Sequence, residues 1–301
     1  MKKTEQHISK DPKLLREARR HKIFPYLLLI PNFVFLILFT FYPFVRNIYL
    51  SFYVTDQAGN PGTFVGLANY KRILTSEAFK KSLVATFKYA GLLFVGTFTL
   101  AMFFAMLCLE KKRGSRAYQM MYSIPIALSS VPIAAIMLYI FSRNGILNQI
   151  LGTKTLWLST EKTAMISVAI CSCWAGAGTS FIFLLVGFRN VSDDLLESAT
   201  LDGAGYLTKF FKIYLPIASP QVFFVVFLNI IGSFKNFALI KMLVGSGPND
   251  STNVLIYALY SNAFYRGRFE TACVYAMALC LLIFLVTRIQ LILEKKVVFY
   301  Q

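Results

Sequence analysis

Residues 83–109 read LVATFKYAGLLFVGTFTLAMFFAMLCL, an apolar run interrupted by a single charge, Lys88. A bilayer core about 30 Å thick is crossed by about 20 apolar residues in helical conformation, so this run is long enough to span it. Working outward, a run of the same kind precedes it at Ile23–Phe44. Four more follow, at Ala117–Phe141, Thr163–Phe188, Pro216–Leu243 and Thr271–Thr287. The chain of 301 residues is 56% hydrophobic and only 15% charged, whereas soluble domains carry about 25% charged residues. These features predict an all-α polytopic membrane protein with six transmembrane helices over residues 23–292, between a basic arm (1–22) and a short tail (293–301). Ile23–Phe44 is too long for a signal-peptide h-region and is not followed by a small-residue cleavage site, so it is read as a true span.

The formal net charge is +17, and its distribution orients the chain. Lys2, Lys3, Lys10, Lys13, Arg16, Arg19, Arg20 and Lys22 precede the first span. Lys111, Lys112, Arg113 and Arg116 lie between the second and third. Basic connections are retained in the cytoplasm, and an even number of spans returns the chain to its starting side, so both termini are expected to be cytoplasmic. The basic arm lacks aromatic interleaving or a recognised module, so nucleic acid is not an expected partner.

Cys108, Cys171, Cys173, Cys273 and Cys280 all lie in or beside apolar runs, where free cysteine acts as a small hydrophobe. No disulfide or metal site is expected from them. His7 and His21 both belong to the arm. With no G-x-x-x-x-G-K-[ST] loop, nucleotide chemistry must reside on another chain. Thr55–Gly66 and Asn144–Thr160 have the turn chemistry of outside loops. In Gly245–Phe269, the apolar strip Val254, Leu255, Ala258, Leu259 and Phe264 suggests an interfacial helix before the last span.

The connection between the fourth and fifth runs, residues 190–215, is expected on the cytoplasmic side. Asp194 and Glu197 have capping-box spacing, and Gly203 suits the left-handed residue that ends a short helix. A second short helix is expected from about Gly205 to Tyr214, with Pro216 in the first turn of the next span. The local chemistry thus predicts a rigid helix–bend–helix knob. The order Glu197-Ser198-Ala199, Asp202-Gly203-Ala204, Ile213 and Leu215-Pro216 resembles the "EAA" loop of ABC importer permeases, with Ser198 where that family carries its second alanine. Phe64-Val65-Gly66-Leu67, Asn69-Tyr70 and the loop Gly245-Ser246-Gly247-Pro248 are similar to the carbohydrate-uptake group of those permeases, although Val244 and Ser246 depart from its usual threonine and glycine.

The resemblance implies a type I importer transmembrane domain with no catalytic residues. Glu197, Ser198, Ala199, Asp202, Gly203, Ala204, Leu215 and Pro216 would engage an ATPase subunit, which would hold the ATP and magnesium. A homologous second permease, an ATP-binding subunit dimer and an external sugar-binding protein would complete a bacterial cell-membrane assembly.

Polar groups inside spans are costly unless paired or facing a wet cavity, so they mark candidate pathways. Asn229, Ser233 and Asn236 fall at i, i+4 and i+7, one helical stripe with Gly232 beside it; Ser172, Gly176 and Thr179 repeat the spacing in the fourth run. Amides and hydroxyls suit the hydroxyls of a sugar or oligosaccharide. The same residue types also glue helices together. Lys235 and Lys241 are expected to snorkel or pair near the outer end, and Trp174 to pack. A phosphate-bearing solute such as glycerol phosphate is an alternative substrate. A stand-alone channel or secondary carrier is a further alternative, but Asp and Glu are absent from all six runs.

Overall fold

The computed structural model describes residues 12–109 and 114–298. Lys2, Lys3, Lys10, Lys111, Lys112 and Arg113 lie outside the described residues, as does the end of the tail. The order is α1 (Pro12–Leu36), a π-helical turn (Ile37–Phe41), α2 (Tyr42–Ser51), β1 (Tyr53–Thr55), β2 (Pro61–Phe64), α3 (Ala68–Leu74) and α4 (Glu77–Leu107). Next come α5 (Ser115–Ala127), α6 (Ser130–Ile140), α7 (Ile146–Leu151), α8 (Glu161–Arg189), α9 (Asp193–Leu201) and α10 (Tyr206–Lys209). A second π turn (Phe210–Tyr214) leads into α11 (Leu215–Ile217), α12 (Ser219–Lys235) and α13 (Ala238–Leu243). The chain ends with α14 (Leu255–Tyr260), a third π turn (Ser261–Tyr265) and α15 (Phe269–Val297). Among the described residues, five helices are long and apolar enough to cross a membrane, and α5 with α6 forms a sixth, bent candidate.

The third run is therefore corrected: α5 and α6 meet at 104°. Pro132 has no N–H, and its ring would strike the Leu128 carbonyl of a continuous helix. Leu128 accordingly turns extended (φ −98°, ψ 133°), and α6 restarts from Ser129 with the proline in its first turn. The fifth run also needs correction. It starts at Ser219, with Pro220 in the first turn, and breaks at Asn236, whose backbone is extended (φ −71°, ψ 111°). Pro216 instead belongs to the preceding short helix, and the missing N–H explains the π turn before it: the Leu215 N–H reaches back to the Phe210 carbonyl. Tyr42-Pro43 repeats this device, where the Tyr42 N–H bonds the Ile37 carbonyl.

Helices α4 and α8 run side by side at the centre, with α12 against both. Small residues permit close approach, the usual means of packing helices in lipid. Ala101 and Ala105 are fully buried, and a Cβ on Gly96 would collide with the Cys173 sulfur. Phe181, Leu184, Phe188 and Val225 fill the core at one end of the bundle. Phe79, Phe234, Leu255, Val274 and Tyr275 fill another part of it.

The expected outside loop at residues 55–66 closes a two-stranded antiparallel hairpin, β1 with β2. In its turn the Asp56 carboxylate accepts from the Asn60 side chain and from the Ala58 and Asn60 amides, which holds its pKa below the ordinary carboxylate value. Buried Glu270 ties the start of α15 to this hairpin, accepting from Thr55 Oγ1 at 2.7 Å and facing Arg72 at 3.8 Å. The strip expected to be interfacial is helical, but Val254, Leu255 and Ala258 are buried against the bundle and Phe264 stays exposed.

Candidate coupling knob and transport path

The knob begins at Ser192, an extended N-cap, with Asp193 and Asp194 in the first turn of α9, where carboxylates favour the positive end of the helix. The expected capping box does not form: Asp194 is the second helical residue, so Glu197 lies too far along to reach the cap. The C-terminal end follows the expectation. Gly203 is left-handed (φ 77°); its N–H bonds the Thr200 carbonyl at 3.0 Å, and the Ala204 N–H bonds the Ala199 carbonyl at 2.9 Å. These two bonds make a Schellman motif, which glycine adopts without a Cβ penalty.

The second short helix anchors the knob. Phe210 is 2% exposed and meets Phe188 edge to face at 5.5 Å, while the Tyr206 hydroxyl donates to the Met106 carbonyl at 2.5 Å. Lys209 Nζ donates to Thr200 Oγ1 at 2.6 Å, tying the second helix back to the first. No residue of α9 is buried. Leu201 is 89% exposed, Leu207 62% and Phe211 60%. Glu197, Ser198, Asp202 and Gly203 are exposed, Ala199 and Ala204 half-buried, and nothing in this chain lies within 4 Å of a Cβ placed on Gly203. Leu215 is half-buried and Pro216 exposed at the base. Met106 lies in the last turn of α4, whereas α3, just ahead of the start of α4, packs against α15, where Glu270 faces Arg72 and holds the hairpin, so knob and hairpin lie at opposite ends of the bundle.

Of the two polar stripes, much is consumed within the bundle. Asn229 Nδ2 donates to Ser180 Oγ at 2.9 Å and to the Val225 carbonyl at 2.9 Å. Ser233 is buried and donates to the Ile230 carbonyl at 2.7 Å. Ser172, also buried, accepts from the Tyr89 hydroxyl at 2.8 Å. Gly176 faces Thr97, while Thr179 and Gly232 are exposed. The extended backbone at Asn236 takes that residue off the Asn229–Ser233 stripe, which corrects the single-face expectation.

The break creates a cavity of about 470 Å³ lined by Asn236, Phe237, Lys235, Ser172, Gly176 and Ser130, among others. Ser130 begins the helix after the other break, and α13 packs against α6, so the two interrupted spans meet beside α8. Ser130 and Phe237 were not singled out from the sequence; Pro132 signals the first break, but no proline or glycine marks the second. Lys241 pairs as expected, donating to the Tyr260 hydroxyl at 2.7 Å and lying 4.3 Å from its ring centroid. Trp174 packs against the core and lines a separate apolar cavity.

Known proteins resemble this arrangement over nearly its whole length. The probable ABC transporter permease protein YurN of Bacillus subtilis (strain 168) is 30% identical over 288 residues, covering 93% of this chain and 97% of its own. The sn-glycerol-3-phosphate transport system permease protein UgpA of Agrobacterium fabrum is 30% identical over 287 residues, again covering 93% and 97%. In fold, the chain matches a subunit in the crystal structure of a bacterial ABC transporter involved in import of the acidic polysaccharide alginate. The TM-score is 0.83 at 18% identity, covering 95% of this chain and 99% of that one. The family model described as "Binding-protein-dependent transport system inner membrane component" matches residues 98–299, and to that family of multi-pass inner-membrane permeases this chain belongs.

Proposed function

We propose that this chain is one of two permease subunits that move a sugar or oligosaccharide inward by alternating access. An external binding protein delivers the solute, and ATP is hydrolysed on a separate subunit pair that also holds the magnesium. The observation that carries this reading is the knob: a stapled element that leaves Leu201, Leu207 and Phe211 in the open. Apolar side chains so exposed on a rigid projection favour a protein partner over water.

In this reading Glu197, Ser198, Asp202 and the backbone around Gly203 face the ATPase subunit, with Ala199 and Ala204 leaving room for its groove. Leu215 and Pro216 form the joint to α12. Closure of the ATPase pair pushes the knob, and Phe210 passes the displacement to the base of α8. The solute is received at the interrupted helices, where Asn236, Ser130 and Phe237 offer polar groups and a ring face, with Ser172 and Gly176 as the floor. Asn229, Ser233, Gly232 and Thr179 support these helices.

Family membership sets aside the stand-alone channel. A phosphate-bearing solute is a second reading, favoured by Lys235 at the cavity. With the knob on the cytoplasmic side, the hairpin faces outward, both termini are cytoplasmic and the bacterial cell membrane is the location. The test is purification from membranes followed by reconstitution. A co-purifying ATPase and second permease, and ATP-dependent saccharide uptake that requires the binding protein, are the expected results. Transport by this chain alone, or cross-linking that places Leu201→Cys away from an ATPase subunit, rejects the reading.

A further inference from the structure

Among the described residues, two lysines within spans have no ion-pair partner. Lys88 lies three turns inside α4, roughly 16 Å from the helix start at 1.5 Å per residue, and lines an open cavity of about 1270 Å³ between α4 and α8. Gly91, one turn deeper on the same face, has nothing within 4 Å of a would-be Cβ, so the cavity floor below Lys88 is open. Lys235 ends α12 at the second cavity. The two are linked: Phe87 and Phe234, the residues before each lysine, meet edge to face at 5.9 Å.

An ammonium within a span is expensive, about 2.5–3.5 kcal/mol at the bilayer centre, unless it meets an anion or water. Lys241 shows the ordinary solution, a hydroxyl and a ring from its own chain. Neither Lys88 nor Lys235 forms an ion pair among the described residues, and Asp and Glu are absent from the six apolar runs. Three carboxylates line the larger cavity, all at its rim: Glu77 is taken by Lys80 at 2.9 Å, Glu161 accepts from Asn249 at 2.9 Å, and Asp250 accepts from Asn253 at 3.2 Å. The cavity is therefore mixed in charge at its mouth and cationic within.

Resting on the transport reading above, we propose that Lys88 and Lys235 are two successive anion-recognising stations and that the solute carried is an acidic saccharide, bearing a carboxylate or a phosphate. Lysine is a compact point charge and does not demand the bidentate geometry that would choose between the two groups. Lys88 draws the acidic group into the wider cavity. Lys235 then holds it where the helices are interrupted.

The test measures binding and ATP-driven uptake of trigalacturonate, glucose 6-phosphate and maltotriose by the whole assembly in nanodiscs and proteoliposomes, at low and high salt. At least one acidic probe is expected to outcompete maltotriose, and the galacturonate and phosphate arms identify which anion is read. Lys88→Gln and Lys235→Gln are each expected to weaken acidic-probe binding about tenfold, equivalent to about 1.4 kcal/mol, and to flatten its salt dependence. ATP-driven uptake of maltotriose with no acidic probe accepted leaves the importer reading standing and overturns this one. Unchanged acidic affinity in both variants overturns it too, as does dissociation of the assembly on neutralising either lysine, because the missing anion then belongs to a partner subunit. Failure to recover any ATPase subunit sinks the parent reading instead, whatever the lysine variants do.

Discussion

At the scale of single residues, the knob depends on backbone conformation at one position and burial at another. Gly203 is left-handed with open space around it, so Gly203→Val costs conformational energy, about 1–2 kcal/mol for a β-carbon in that region, without a clash inside this chain. The expected outcome is a subunit that inserts and assembles normally while uptake per ATP hydrolysed falls; wild-type coupling in proteoliposomes counts against the knob. Phe210→Ala empties a buried aromatic site, and about 3–5 kcal/mol of stability should be lost, read as a lower melting temperature in detergent. For the polar stripes the structure separates two roles. Asn229→Leu removes an amide bonded to Ser180 and is expected to cost about 0.6 kcal/mol or somewhat more, with little change in solute affinity. Asn236→Leu faces the cavity and is expected to lower affinity with assembly intact, as titration of the purified complex would register. This division was not legible beforehand: helical periodicity puts both asparagines on one stripe, and only the extended backbone at 236 takes them apart.

At the scale of elements, most of the helices were legible because a membrane demands long unbroken apolar segments, and the sequence marks those without ambiguity. What stayed hidden were the interruptions. Pro132 was a visible signal for the bend between α5 and α6, masked by the apolar composition around it. The break after Lys235 has no local signal, so tertiary packing rather than propensity must hold Asn236 extended. The knob was readable at its glycine but not at its start, since Ser192, Asp193 and Asp194 are all competent caps and only the folded chain selects Ser192. Pro216 offers an element-level prediction. Replacing it with alanine restores a donor and removes the ring, so the π turn before it can relax to an α-helix, recovering up to about 3 kcal/mol while rotating α10 relative to α12. Pro216→Ala should melt no lower than wild type yet couple poorly, a combination that thermal denaturation and uptake assays resolve together.

At the scale of the whole molecule, the hairpin and the knob mark opposite ends of the bundle, and helix lengths make the direction of insertion testable. Reporter fusions at both chain ends should be active only in the cytoplasm, and a cysteine in the 56–60 turn should react with an impermeant reagent from outside. Opposite labelling would invert the assignment of every loop. The helix from Phe24 to Ser51 has an apolar stretch with none of its residues buried by the rest of the chain; burial begins only at its far end, over residues 47–51, where α2 packs against α15. Lipid solvates such a surface well enough for insertion but supplies none of the interdigitated packing that holds α4 to α8. A chain on its own therefore leaves this helix held to the bundle at one end only. In the two-permease assembly proposed above, covering that face is the part a second subunit would play.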